Sequence, residues 1–233
     1  MQILPGLYLA SGFGYRWHQN SYLIARGDRA VLIDSGDLEG DESFDVIAEN
    51  LALWGLRPEQ ITHLLITHAH YDHSSHAARW RNLSVRIVAS RPCADAMATG
   101  DDRCIGYAVR RTFEPCRVDR VLEDGETLTV GDLTFRAFAA PGHSDTCLVY
   151  ETNLDGRRVW FVGDTIITTL ETYRIELGWN GDPSYDRRAY IETLRRLAHL
   201  LCDVLLPGHD VPRIREGWRE VQMAYTKALM ELR

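Results

Sequence analysis

Residues 68 to 73 read His68-Ala69-His70-Tyr71-Asp72-His73, which places three histidines and one aspartate within six positions. The whole chain of 233 residues holds nine histidines. An apolar stretch with strand character, Leu64-Leu65-Ile66, stands close before the run. Imidazole nitrogen and carboxylate oxygen are the donor types that zinc and similar divalent ions take. A tight loop after a strand can turn His68 and His70 toward one point and Asp72 and His73 toward a neighbouring one. A solvated polar loop accounts for one or two histidines but not for this density. The run therefore demands a fold that brings further ligands to the same place.

Three later positions answer that demand. His143 follows the apolar run ending at Ala140, in Pro141-Gly142-His143-Ser144. Asp164 follows the run ending at Val162, in Gly163-Asp164-Thr165, and His209 follows the run ending at Leu206, in Pro207-Gly208-His209. Each comes after a strand and a glycine. A strand end is a rigid mount, and glycine permits the sharp turn that aims the next side chain. One such residue alone is weak evidence; all of them in one order are strong.

The surrounding pattern alternates strands and helices. Strands are expected over Leu7–Ala10, Ser21–Ala25, Ala30–Asp34, His63–Thr67 and Val85–Ala89, and helices over Asp41–Trp54, Ser74–Trp80 and Arg91–Ala98. The second half repeats the style. Strands are expected over Val118–Leu122, Leu133–Ala139, Cys147–Glu151, Arg157–Val162 and Val204–Leu206, and helices over Tyr185–Leu201 and Ile214–Leu232. Two strand-then-helix halves imply a β-sandwich flanked by helices. No linker interrupts them, so residues 1–233 read as one domain. Ser11–Asn20 and Thr168–Ser184 fit no regular element. Both are rich in glycine and aromatics, a composition that often shapes binding sites. Tyr15, Trp17, His18, Tyr173 and Trp179 are the candidate substrate contacts there.

Bulk properties exclude some classes. A net charge of -7 disfavours a nucleic-acid partner. No apolar run approaches a membrane span. The N-terminal Met1-Gln2-Ile3-Leu4-Pro5-Gly6 lacks the basic and apolar regions of an export signal, which predicts a cytoplasmic protein. The cysteines, Cys93, Cys104, Cys116, Cys147 and Cys202, form no C-x-x-C pair and are odd in number, which favours core thiols over a Cys104–Cys116 bridge.

With these residues in place, the chain resembles the metallo-β-lactamase superfamily, through its H-x-H-x-D-H motif, its later His, its Asp and its last His. The match runs from Asp34, in Leu32-Ile33-Asp34-Ser35-Gly36, to His209. The resemblance implies an α/β fold of four layers, the αββα sandwich. It implies that His68, His70 and His143 hold one metal, that Asp72, His73 and His209 hold a second, and that Asp164 bridges them. It implies that Asp34 supports the metal loop from behind. Two divalent ions are expected, zinc first, with iron or manganese as alternatives. Such a pair shares a water and activates it as hydroxide. Asp72, beside that water, is the candidate to pass a proton to the leaving group. Tyr22, Tyr71 and Tyr173 are candidate oxyanion donors. His76 suits the surface or a supporting place behind the ligands.

The superfamily handles β-lactams, thioesters, lactones, phosphodiesters and sulfates. A chain of this size with aromatic loops fits a dinuclear hydrolase of a small ester, lactone or thioester best. β-Lactam or phosphodiester hydrolysis by the same site, and a mononuclear iron sulfur dioxygenase, are the alternatives. A small-molecule substrate is expected, with neither nucleic acid nor membrane as partner. The aromatic residues of the two loops suit a pocket wall or an interface equally, so the sequence fixes no oligomeric state.

Overall fold

A strand buried on both faces needs an apolar side chain at nearly every position. Val31-Leu32-Ile33, Leu64-Leu65 and Trp160-Phe161-Val162 read that way. In the computed structural model, which describes residues 1–11, 18–36, 42–170 and 174–232, they lie in two stacked sheets. The first sheet opens with an antiparallel meander of β1 (Gln2–Leu4), β2 (Leu7–Leu9), β3 (Tyr22–Arg26) and β4 (Arg29–Ile33). Helix α1 (Glu42–Leu53) crosses to β5 (Ile61–Leu65), which runs parallel to β4. Helices α2 (Tyr71–Ser74) and α3 (Ala77–Asn82) lead to β6 (Arg86–Ala89), and α4 (Arg91–Thr99) and α5 (Gly106–Val109) lead to β7 (Arg120–Val121), both strands again parallel.

The second sheet is antiparallel through β8 (Thr127–Val130), β9 (Leu133–Ala139), β10 (Leu148–Leu154) and β11 (Arg157–Gly163). A small pair, β12 (Ile167–Thr168) and β13 (Ile175–Glu176), precedes α6 (Arg187–Leu197). Strand β14 (Val204–Pro207) then joins the sheet parallel to β11, and α7 (Gly217–Glu231) ends the fold.

Alternation sorts the side chains into three apolar layers. Leu23, Leu32, Leu64 and Ile87 point outward to Ile47 and Leu51 of α1, Trp80 of α3 and Met97 of α4. Their neighbours Ile24, Val31, Leu65 and Val88 point inward to Phe135, Tyr150 and Phe161 of the other sheet. Trp160, Val162 and Leu205 face Tyr190 and Leu194 of α6 and Val221 and Ala224 of α7. Each such buried side chain contributes about 1.5–3 kcal/mol. The expected αββα sandwich is the observed one.

Several boundaries differ from the expectation, for physical reasons. The single helix read over Ser74–Trp80 is two helices. The His76 amide donates to Ser35 O at 3.1 Å, outside its own turn, and α2 ends there. The helix read from Tyr185 starts at Arg187, because the Asp186 carboxylate caps the Arg188 and Ala189 amides. The loop read over Thr168–Ser184 contains part of β12 and all of β13. Strand β8 lies outside the expected strands, although Thr127 and Thr129 alternate with Leu128 and Val130 and Gly131-Asp132 turns the hairpin to β9. All five cysteines are buried and free, so Cys104 and Cys116 form no bridge. Among the described residues no helix is long and apolar enough to cross a membrane.

Candidate metal centre

Parallel neighbours end together, and that brings the ligands together. Strands β4 and β5 end side by side, so Asp34 lies beside Thr67, which donates to it from its amide at 2.7 Å and from Oγ1 at 2.7 Å. The chain then enters the single turn of α2, with the His70 carbonyl accepting from the His73 amide at 2.9 Å. That turn separates the directions of His70, Asp72 and His73. Strands β11 and β14 likewise end together, so Asp164 and His209 are adjacent. Gly208 donates to Gly163 O at 2.8 Å, and a Cβ on Gly208 would sit 2.3 Å from Asp164 Oδ1. Only glycine permits that approach. The Leu148 amide to Thr67 O, at 2.7 Å, ties the two sheet ends.

His68, His70, Asp72, His73, His143, Asp164 and His209 are all buried. Their ligand atoms fall into overlapping groups, each within 4.8 Å: His68, His70 and His143; His68, His73 and Asp164; Asp72, His73 and His209. A carbonyl or carboxylate oxygen can only accept, so the ring nitrogen facing one must carry the proton. His70 Nε2 donates to Asp182 Oδ2 at 2.7 Å, and His143 Nδ1 donates to Trp179 O at 2.8 Å. His73 Nδ1 donates to Asp34 Oδ2 at 2.9 Å, and His209 Nδ1 to His18 O at 3.2 Å. Thr67 Oγ1 already donates to Asp34, so it accepts from His68 Nδ1 at 3.1 Å.

With the outer nitrogens protonated, the inner nitrogens of His68, His70 and His143 present lone pairs. His70 Nδ1 and His143 Nε2 then face each other at 3.2 Å as two lone pairs. Among the described residues, the buried His68 Nε2 has no hydrogen-bond partner. Orphaned buried acceptors are costly unless a cation meets them. The residues present therefore fit divalent metal.

Charge divides the cluster. Burial, then the neighbouring His73 and His70, hold the His68 imidazole well below its ordinary value, and burial and His70 push His143 down to about 4. At His73 and His209 burial also opposes charge, but carboxylates outweigh it. Asp72 and Asp164 hold His73 well above its ordinary value, and Asp164 and Asp72 raise His209 to about 10. Burial likewise opposes the Asp164 anion, yet His209 and His73 hold its carboxyl well below the usual range. His209 Nε2 lies 3.0 Å from Asp72 Oδ2 and 3.4 Å from Asp164 Oδ2. The two carboxylates gather positive charge at the place where a cation would sit.

A cavity of about 680 Å³ opens above this floor. His70, Asp72, His143, Asp164 and His209 form its base, and Ile105, Ala108, Val109, Ile167, Leu177 and Trp179 its apolar walls. Trp179, 42% exposed, is one of these wall residues. His18 contributes its carbonyl to His209 instead of lining the cavity. Tyr15, Trp17 and Tyr173 lie outside the described residues. Tyr22 is no oxyanion donor, since its buried hydroxyl donates to Pro207 O at 2.8 Å, and Tyr71 lines a separate polar pocket behind the loop. His76 is buried, not superficial, with Nδ1 3.2 Å from Ser43 Oγ. The sequence reading missed the wall of Ile105, Ala108 and Val109, and it missed Asp182, whose context Gly181-Asp182-Pro183-Ser184 signals only a turn.

The chain is 28% identical over 211 residues to Ribonuclease TTHA0252 of Thermus thermophilus, covering 82% of this chain and 47% of that protein. It is 27% identical over 191 residues to Atrochrysone carboxyl ACP thioesterase AgnL7 of Paecilomyces divaricatus, covering 82% and 49%. The chain thus spans about half the length of the curated relatives it matches. Among solved structures, a metallo-beta-lactamase of Cronobacter sakazakii superposes with a TM-score of 0.78 at 21% identity, covering 100% of this chain and 96% of that one. The subclass B3 metallo-beta-lactamase BJP-1 of Bradyrhizobium japonicum superposes with a TM-score of 0.72 at 25% identity, covering 91% and 85%. A model of the metallo-beta-lactamase superfamily matches residues 14–209, and the chain belongs to that superfamily.

Proposed function

We propose that this chain is a metal-dependent hydrolase of small carboxylic esters, lactones or thioesters. His68, His70 and His143 would hold one divalent ion and Asp72, His73 and His209 a second, with Asp164 available to either. Zinc is the first choice for both, since imidazole and carboxylate suit it. The observation that carries the reading is the placement of His70, Asp72, His143, Asp164 and His209 on the floor of a cavity whose walls are mostly apolar. When bound, the ions supply Lewis acidity and lower the pKa of water.

The chain's own residues do the rest. The walls of Ile105, Ala108, Val109, Leu177 and Trp179 bind an acyl or alkyl group and keep solvent from it. Asp34 and Thr67 hold the ligand loop in register. The Asp72 carboxylate, on the cavity floor, is placed to carry a proton to the leaving group.

Charge on the walls supports an uncharged acyl portion. Among the described residues no Lys or Arg lines the cavity. Among the described residues, the charged wall residues are Glu176, which is paired with Arg174 and Lys227, and Asp210. A phosphodiester, or the carboxylate of a β-lactam, meets no Lys or Arg among the described wall residues. The thioesterase relatives favour the same class.

A hydrolysis screen of the metal-loaded protein tests this. The expected result is turnover of neutral esters, lactones or thioesters well above that of anionic β-lactams and phosphodiesters. Degradation of RNA with no ester turnover would overturn it, as would one iron per chain with oxygen consumed on a persulfide.

A further inference from the structure

Residues 177–184 touch the cluster from outside at two points, and neither contact belongs to the ligand motif. Asp182 Oδ2 takes the Nε2 proton of His70, and the Trp179 carbonyl takes the Nδ1 proton of His143. The segment is fitted closely. A Cβ on Gly178 would stand 2.5 Å from His143 Nδ1 and 2.4 Å from Asp164 O. The Gly178 amide is anchored in turn on the buried Tyr190 hydroxyl at 2.9 Å. The same segment supplies Leu177 and Trp179 to the cavity wall, with the Trp179 ring 6.4 Å from the His70 ring.

Resting on the ligand assignment proposed above, we infer that Asp182 is the positioning residue of the first metal group: it fixes the tautomer of His70 so that Nδ1 offers its lone pair inward. The carboxylate is itself oriented. Its Oδ1 accepts from the Ser184 amide at 2.6 Å and the Ser184 hydroxyl at 2.5 Å, which leaves Oδ2 for His70. Two donors on one side and one on the other make an acceptor at both oxygens obligatory. His68 is the remaining ligand of this group, and its outer contact is the Thr67 hydroxyl. Asp182 is therefore the only carboxylate among the described residues that accepts directly from a ring of the first group. A carboxylate in that place raises ligand basicity and fixes ring orientation.

The substitution Asp182→Asn separates this role from a merely structural one. The two Ser184 donors retain the amide oxygen, so the amide NH2 must face His70 Nε2. Two donors cannot meet there, so His70 must shift its proton to Nδ1, and the inner lone pair is lost. The loop's own bonds survive the change. A structural role predicts that Asp182→Asn is benign and that Ser184→Ala, which removes a loop bond, is harmful. The positioning role predicts the reverse.

The experiment uses the full chain with zinc. Affinity for each ion is measured by competition with a chromophoric chelator, and the histidine tautomers by 15N–1H imidazole correlation spectra. The expected result for Asp182→Asn is that one of two ions binds about 10–100-fold more weakly, while the other is retained. In the metal-free protein the His70 signal should move from protonated Nε2 to protonated Nδ1. Ser184→Ala should keep both affinities within about threefold. Trp179→Ala keeps its backbone carbonyl, so it should raise KM and leave metal affinity unchanged. Should Asp182→Asn fold poorly, Asp182→Ala serves, with weaker binding of one ion expected and no forced change of tautomer. Wild-type affinity for both ions with His70 still protonated at Nε2 would overturn the inference. The metal affinities and the tautomer spectra need no substrate, so failure of the ester-hydrolase reading leaves them interpretable.

Discussion

The two halves of the metal cluster are braced in different ways. Asp72, His73 and His209 stand on strand ends and on the turn after β5, and Asp34, at the end of β4, takes the His73 proton from within the first sheet's own layer. His70 and His143 are braced from outside the sheets, by Asp182 and the Trp179 carbonyl of an irregular segment. The first brace is part of the core. The second is part of the cavity wall. The His73 brace is therefore tied to folding, and the braces of His70 and His143 to the segment that walls the cavity.

The same difference decides what could be read from the sequence. A ligand at a strand end leaves a local signature, an apolar run followed by glycine and a donor, as in Leu205-Leu206-Pro207-Gly208-His209. His143, Asp164 and His209 were legible as candidate ligands for that reason, while Asp34 and the four layers followed from the resemblance to the superfamily. Asp182 is 112 residues from His70, in a segment whose only signals are Gly181 and Pro183. Nothing in a single sequence reports that a turn packs against a histidine so far away. The α5 wall was illegible for a related reason. Ile105 and Arg110, at the two ends of α5, have left-handed backbone at φ 48° and 56°, which β-branched and bulky residues rarely adopt. Local preference gave no reason to expect a helix bounded that way, and tertiary packing overrides it.

The largest expected effect comes from breaking what the two halves share. Asp164 approaches His143 Nε2 at 3.8 Å, His73 Nε2 at 3.3 Å and His209 Nε2 at 3.4 Å. Asp164→Ala should reduce bound metal at both groups and lower kcat/KM by about a thousandfold, close to 4 kcal/mol of barrier. Elemental analysis beside steady-state kinetics checks it. His68→Ala should act similarly on activity. Full activity in either variant would end the ligand assignment. Removing metal with a chelator should abolish turnover while far-UV circular dichroism stays unchanged, because none of the three apolar layers contains a ligand. Added zinc should restore turnover. Collapse of the spectrum on chelation would mean that the metals carry the fold.

Stability should then separate the two braces. Asp34 is buried, and burial pushes its carboxyl up while His73 and Thr67 pull it only part of the way back. It accepts from the Thr67 amide, the Thr67 hydroxyl and His73. In Asp34→Asn one acceptor becomes a donor facing other donors, which leaves a buried group unpaired at a cost of about 1–3 kcal/mol. Asp182→Asn retains its bonds with Ser184, so its cost to folding should stay under about 1 kcal/mol even as metal is lost. Urea unfolding of the metal-free variants measures both. Equal losses would mean that both braces belong to the core, and the contrast between halves would fall.

The smallest effect tests whether the outer brace is held from one side or two. The Tyr107 hydroxyl, on α5, donates to Gly181 O at 3.3 Å across the cavity mouth, and Tyr107 is 55% exposed. An exposed hydrogen bond of that length contributes about 0.5 kcal/mol or less. The Asp182–Ser184 bonds and the Gly178 anchor on Tyr190 lie on the other side and are shorter. Tyr107→Phe should therefore leave metal affinity unchanged and shift KM by no more than about twofold, the equivalent of that bond. A tenfold loss of affinity for one ion in Tyr107→Phe would show that the segment needs both walls to hold His70 and His143, and that α5 is part of the brace rather than only part of the pocket.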